Sequence, residues 1–217
     1  MSHGRSRLAI LISGRGSNME AFLAACRGGL LDADIALVAS NKPDALGLQT
    51  ANAAGIPTVV VDHQEFENRE QFDQALGDQV AGVQPDLVVL AGFMRVLTPL
   101  FVDRFADRLM NIHPSLLPKY PGLNTHQRAI DAGDTETGAT VHYVNGELDG
   151  GPAIVQARVP ILEHDSADDL ATRILPFEHQ IFPLAAQWHV SGRLKLLDGK
   201  ALLDGEVLPA TGFDWAG

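Results

Sequence analysis

A single cysteine in 217 residues, Cys26, excludes an internal disulfide framework and fits a reducing compartment. Its place in a helical pattern reads as small-residue packing. Positive charge is scarce too. The chain has 16 Lys and Arg against 27 Asp and Glu, a formal net charge of -11, which argues against broad nucleic-acid binding because that needs a basic surface. Any anionic small ligand must therefore meet local donors set in an acidic protein. No apolar run approaches the roughly 20 residues that cross a bilayer. The opening Met-Ser-His-Gly-Arg-Ser-Arg leads into only a short apolar strand, not the longer core of a signal peptide. Linkers, low-complexity stretches and internal repeats are also lacking. What is present, 46% apolar and 20% charged residues, is the composition of one globular domain with a cytoplasmic address, long enough to bury a core.

The pattern along the chain alternates strand and helix. Arg7 to Ser13 is a continuous apolar run, as expected of a strand covered on both faces. A turn at Gly14-Arg15-Gly16-Ser17-Asn18 precedes a helix over Met19 to Arg27, closed by Gly28-Gly29. Ile35 to Ser40, Thr58 to Val61 and Leu87 to Ala91 read as strands; Leu46 to Ala54, Glu65 to Val83 and Pro99 to Phe105 read as helices. A fifth strand ends at His113. This β-α alternation predicts a doubly wound, mostly parallel sheet with helices on both faces, its first half (1–110) nucleotide-binding in style.

After His113 the pattern changes. Pro114, Pro118, Pro121 and Gly122 make a stiff irregular loop before a helix from about Thr125 to Ala132. Thr137 to Val144 and Ala153 to Val159 are strands expected to run antiparallel, joined through Asn145-Gly146-Glu147-Leu148-Asp149-Gly150-Gly151-Pro152. That connection is longer than a tight hairpin needs, and such a surplus usually serves binding. Ser166 is expected to cap a last long helix to Val190, with a kink or break at Pro176 or Pro183. The remainder, 191–217, reads as a tail with two short strands turning at Asp198-Gly199 and Asp204-Gly205.

The stretch that organises the rest is Leu-Met-Asn-Ile-His-Pro-Ser-Leu-Leu-Pro, from Leu109 to Pro118. Asn111 and His113 are two apart, so in extended backbone their side chains leave the sheet on one face. That face carries a neutral amide donor beside a group that gains or loses a proton near neutral pH. Both lie at the carboxyl end of a strand, where open α/β sheets bind ligands. Taken alone, the pair also fits an Asn that bonds a loop and a histidine satisfied in the core.

Other stretches carry weaker signals. Gly14 to Met19 fails the dinucleotide fingerprint, because Met19 replaces the third glycine and the second strand ends in Ser40-Asn41 without a ribose-binding acid. What remains is a tight turn, or backbone N–H groups and the Ser17 hydroxyl suited to one phosphate. Glycine-flanked Asp149 is either a turn residue or the partner of His113. A metal held by His113, His126, His142 and Asp149 is not expected, as no short ligand spacing occurs. Ser115 lacks a nucleophile-elbow context. Arg69 suits a solvated helix face, whereas Arg95 follows a buried strand among apolar residues, where a charge is costly unless it acts.

Gly-Ser-Asn after the first strand, Leu-Ala-Gly-Phe-Met-Arg-Val-Leu, Asn-Ile-His-Pro-Ser-Leu-Leu-Pro-Lys-Tyr-Pro-Gly, Gly-Ala-Thr-Val-His-Tyr-Val and Glu-Leu-Asp-Gly-Gly-Pro occur in that order. Together they resemble the folate-dependent phosphoribosylglycinamide formyltransferases of purine biosynthesis, over Leu8 to about Trp188. The resemblance implies a formyltransferase fold with a Rossmann-like N-terminal half, a catalytic and folate-binding half over 111–190, and transfer of the formyl group of 10-formyltetrahydrofolate to the amine of glycinamide ribonucleotide. By the same likeness, Asn111, His113 and Asp149 match the catalytic trio. Gly16, Ser17 and Asn18 would hold the phosphate end of the ribonucleotide, with Arg69 and Glu178 also on that substrate. Met94, Arg95, Val96 and Leu97, with Asn145, Gly146, Glu147, Leu148 and Asp149, would line the folate pocket. The match is poorer at Leu175-Pro176-Phe177. The partners implied are small molecules, with no nucleic acid, membrane or metal, and the protein would be a monomer or homodimer.

The chemistry suits those residue types. Amine attack on a formyl carbon creates an oxyanion and a cationic nitrogen. Asn111 and protonated His113 can donate to the oxygen, and a His113–Asp149 pair can move the proton, through water, toward the leaving nitrogen. Rival readings are formyltetrahydrofolate hydrolase, usually with an extra N-terminal domain, methionyl-tRNA formyltransferase, with a basic C-terminal domain, and a non-catalytic nucleotide-binding module.

Overall fold

A computed structural model describes residues 4–216. The elements follow in order as β1 (Ser6–Ile12), α1 (Ser17–Arg27), β2 (Ala33–Ser40), α2 (Leu46–Ala53), β3 (Thr58–Val60), α3 (Arg69–Gly82), β4 (Leu87–Leu90), α4 (Pro99–Arg104), β5 (Leu109–His113), α5 (Thr125–Asp131), β6 (Glu136–Tyr143), β7 (Ala153–Pro160), α6 (Ala167–Val190), β8 (Leu194–Leu197), β9 (Lys200–Leu203), β10 (Glu206–Val207) and β11 (Phe213–Trp215). Eight strands form one sheet in the order β11-β7-β6-β5-β4-β1-β2-β3. The five strands β1 to β5 are mutually parallel, while β6 runs antiparallel to both β5 and β7. The fold class expected from the sequence is therefore the one observed.

Strand alternation sorts the core onto two faces. Leu8, Ile10 and Ile12 of β1, with Met110 and Ile112 of β5, pack beneath α1 and α6, where Phe22 meets Phe182 edge-on at 5.0 Å between ring centres. Ala9, Leu11, Val88, Leu90 and Leu109 pack on the other face against Phe72, Leu76 and Val80 of α3 and Phe101 of α4. Each such fully buried side chain contributes about 1.5–3 kcal/mol. Because β1 has β2 on one side and β4 on the other, the winding reverses there, which opens a crevice outside the strand ends.

Three expectations need correction. The long helix begins at Arg69, not Glu65: Asp62 caps a separate 3₁₀ turn over His63–Glu65, and the Asn68 side chain then accepts from Gln71 N–H at 2.9 Å to start α3. Of the kink or break expected at Pro176 or Pro183, the break does not occur: the last helix continues through both, because Ile174, Ile181, Phe182 and Ala185 pack on either side of the prolines and outweigh the lost backbone bonds. The tail holds four strands rather than two. β8, β9 and β10 form a small antiparallel sheet, while β11 joins the main sheet parallel to β7. Trp215 stacks edge-on against Phe177, Phe213 stacks against Trp188, and Asp214 pairs with Arg158 at 3.1 Å, and these contacts anchor it there.

Candidate active site

The carboxyl end of β5 supplies two side chains on the α3 and α4 face, since Met110 and Ile112 face the other core. His113 is 5% exposed. Its Nε2–H donates to the Tyr120 carbonyl at 2.8 Å, and its Nδ1 lies 3.3 Å from Asp149 Oδ2. Both ring nitrogens thus face oxygen atoms.

Asp149 arrives from the β6–β7 connection in left-handed backbone, φ 51°. Gly151 lets the chain pass there, for a Cβ at that position would run into the Tyr143 carbonyl. Oδ2 of Asp149 also accepts from Gly122 N–H at 2.8 Å, which ties the proline-rich loop to the carboxylate. That loop is pinned at its start as well. Thr140 Oγ1 donates to the Ser115 carbonyl at 2.7 Å and accepts from Leu117 N–H at 3.1 Å, and Gln156 Nε2 donates to the Leu117 carbonyl at 2.7 Å.

Asn111 sits opposite His142 in the β5–β6 register. Its Nδ2 lies 3.2 Å from His142 Nε2. His142 Nδ1 lies 2.8 Å from the Tyr143 carbonyl, and its Nε2 lies 3.8 Å from Asp149 Oδ1. Burial drives the His142 ring down to about 4, against a smaller opposite pull from the Tyr143 carbonyl and Asp149, so it is neutral at physiological pH.

A second cluster lies where β1 gives way to α1. Gly16, in left-handed backbone at φ 79°, caps α1 without a side-chain bond, so the first N–H groups of the helix have no intrahelical partner. A Cβ on Gly16 would sit 3.0 Å from Gly47 Cα, so the close approach of α2 also demands glycine. Asn18 Nδ2 donates to Glu178 Oε2 at 2.8 Å, and burial pushes the Glu178 carboxyl up, partly offset by that bond. His179 follows with a buried Nε2 that has no partner among the described residues; its ring is pushed down by burial first, with Glu20 opposing and Arg15 reinforcing.

The stretches matched to folate share one neighbourhood. Phe93 belongs to the apolar cluster on the α3 face, and Leu97 and Val144 pack against that cluster, so the segments leaving β4 and β6 border the same apolar surface. Met94, Val96 and Leu148 are exposed apolar side chains, at 69%, 58% and 58%. Asn145 Oδ1 accepts from Glu147 N–H at 2.9 Å, and Gly146 needs no special space. Arg95 places its guanidinium 4.8 Å over the Phe72 ring, which resolves the cost of a charge among apolar residues. Arg69 Nη2 donates to the Val96 carbonyl at 2.5 Å, which sets its guanidinium beside the segment leaving β4.

Sequence reasoning missed the roles of His142, Tyr120, Gly122 and His179. The Asn111–His142 pairing was open only to someone who knew the β5–β6 register. His179 adjoins Glu178 in sequence, which was the available signal.

The formyl transferase family model matches residues 6–186. The chain is 50% identical to the phosphoribosylglycinamide formyltransferase of Haemophilus influenzae, across 95% of this chain and 98% of that one. It is 49% identical to the protein of the same name from Escherichia coli, across 95% and 97% respectively. The solved structure of the phosphoribosylglycinamide formyltransferase of Coxiella burnetii superposes with a TM-score of 0.94 at 44% identity, covering 98% of this chain and all of that one.

Proposed function

The chain belongs to the phosphoribosylglycinamide formyltransferase family, and from that premise we propose that it moves a formyl group from 10-formyltetrahydrofolate to the primary amine of glycinamide ribonucleotide. The observation that carries the reading is the convergence of His113 and Asp149 at 3.3 Å beside Asn111, all within one chain.

The ribonucleotide enters at the β1 end. Backbone N–H groups of Ser17 and Asn18 beyond Gly16 receive its phosphate, where the helix terminus favours an anion. The unpartnered His179 nitrogen and nearby Arg15 add donors on that side. Glu178, oriented by Asn18, accepts from hydroxyl groups of the sugar. The folate lies across the exposed apolar side chains of Met94, Val96 and Leu148, an area suited to a flat ring system, with Arg95, Leu97, Asn145, Gly146 and Glu147 framing it. Arg69 acts on this folate side through Val96 rather than on the phosphate loop.

The amine nitrogen attacks the formyl carbon, and the carbonyl electron pair moves onto oxygen. Asn111 donates to that oxygen, and His113, held between the Tyr120 carbonyl and Asp149, stabilises the growing negative charge when it carries its second proton, in a site that excludes bulk water. Asp149 takes the proton from the new ammonium through a water molecule. The proton then passes to the folate nitrogen as its bond to the formyl carbon breaks. No covalent intermediate with the protein is needed. The proposed address is the cytoplasm, in keeping with a lone cysteine and the purine-synthesis relatives.

Following folate deformylation with and without glycinamide ribonucleotide tests this. Formyl transfer that requires the amine is expected. Release to water at the same rate without it would replace the reading with a hydrolase.

A further inference from the structure

We propose that His142 is a positioning residue, which decides which end of the Asn111 amide faces the reacting oxygen. The proposal rests on the reading of Asn111 as a donor to the formyl oxygen.

The argument starts from hydrogen-bond polarity. The Tyr143 carbonyl only accepts, so the His142 Nδ1 at 2.8 Å must carry a proton. The ring is 2% exposed and holds no second proton at neutral pH. Its Nε2 is therefore bare and accepts. The Asn111 group 3.2 Å away must then be the NH2 end of the amide, not its oxygen. One N–H of that group points at His142, which leaves the other for the pocket. Turned over by 180°, the amide would set its own oxygen where the developing oxyanion must sit, and attraction would become repulsion.

The fold gives His142 no latitude. A bulge interrupts the β6–β7 ladder there, where the register steps from Val155 opposite Val141 to Ala153 opposite His142. Bulges re-aim a side chain next to active sites. Among the described residues, the titratable groups facing the ring are Asp149, 3.8 Å from Nε2, and His113, which opposes its protonation. Since Nε2 carries no proton, it gives nothing to Asp149 Oδ1, which stays free to accept a proton from water.

A double-mutant cycle between His142→Phe and Asn111→Ala tests the proposal. Phe keeps the ring volume but removes the acceptor. We expect His142→Phe to lower kcat by about 10- to 100-fold, with KM for both substrates within about threefold. In the Asn111→Ala background the same change is expected to have no further effect, because there is no amide left to orient. An equal loss in both backgrounds, or no loss at all, overturns the proposal. Ordinary turnover in Asn111→Ala alone overturns instead the reading of Asn111 as a donor. Labelled-histidine NMR of the unaltered protein supplies a second check should the Phe variant not fold. A neutral, Nδ1-protonated His142 ring throughout the pH range above about 4 supports the assignment, and an Nε2-protonated or cationic ring at pH 7 refutes it.

Discussion

His113 and Asp149 meet at 3.3 Å although one ends a central parallel strand and the other sits in a glycine-bounded connection between two antiparallel strands. The same carboxylate oxygen accepts from Gly122 N–H. The ring, the acid and the proline-rich loop are thus locked to a single oxygen atom, and disturbing any one of them disturbs the others.

Removing the ring is the most direct trial. His113→Ala is expected to lower kcat by at least about 10²-fold, the usual loss when one group that stabilises an oxyanion is removed, with KM for either substrate nearly unchanged. Steady-state kinetics on a variant whose circular dichroism is native would decide, and turnover close to that of the original protein would remove His113 from the chemistry.

Glu178 gives a pH signature. Its carboxyl is pushed up by burial, so the folded protein holds the proton more tightly than the unfolded chain does. Its contribution to stability is therefore full below the unfolded value and is lost as pH rises through the folded one. Glu178→Gln should then raise Tm at pH 7–8 but not near pH 4. The same variant should raise KM for the ribonucleotide by about 10- to 100-fold, the value of a hydrogen bond to a charged acceptor. Unfolding scans at both pH values, set beside the kinetics, check the two halves separately.

Gly151 tests how the acid is delivered. An added methyl meets the Tyr143 carbonyl, which belongs to a strand and cannot yield. Gly151→Ala is expected to cost about 1–3 kcal/mol in urea unfolding, as overpacking does. Its loss of kcat should exceed that of a change of similar cost in the tail, since Asp149 is displaced. Native activity and native stability together would show that the connection can relax.

Arg69 distinguishes the two substrate sides. Because its guanidinium donates to Val96, Arg69→Ala should raise KM for the formyl-folate by on the order of 3- to 10-fold and leave KM for the ribonucleotide alone. The opposite pattern would return Arg69 to the phosphate loop.

Much of this was legible in the chain. The uninterrupted apolar run at Leu8–Ile12 reports a strand buried on both faces, because only burial makes such a run stable in water. Glycine after Asp198 and Asp204 marks turns because those turns use left-handed backbone, as φ 51° and 53° at the two aspartates attest. Spacing by two put Asn111 and His113 on one face, a consequence of the pleat alone.

Other features had no local signature. Nothing near Phe213 announces a strand, since β11 exists through what Trp188, Phe177 and Arg158 offer from elsewhere. Pro176 and Pro183 forecast a kink or a break, and buried neighbours keep the helix from breaking. The tautomer of His142 follows from a carbonyl one residue away but matters only because register sets Asn111 across from it. Local backbone preference and side-chain periodicity are written in the order of residues. Cross-strand register, the burial that sets a protonation state, and the meeting of an imidazole with a distant acid arise only when separated segments compete for the same space.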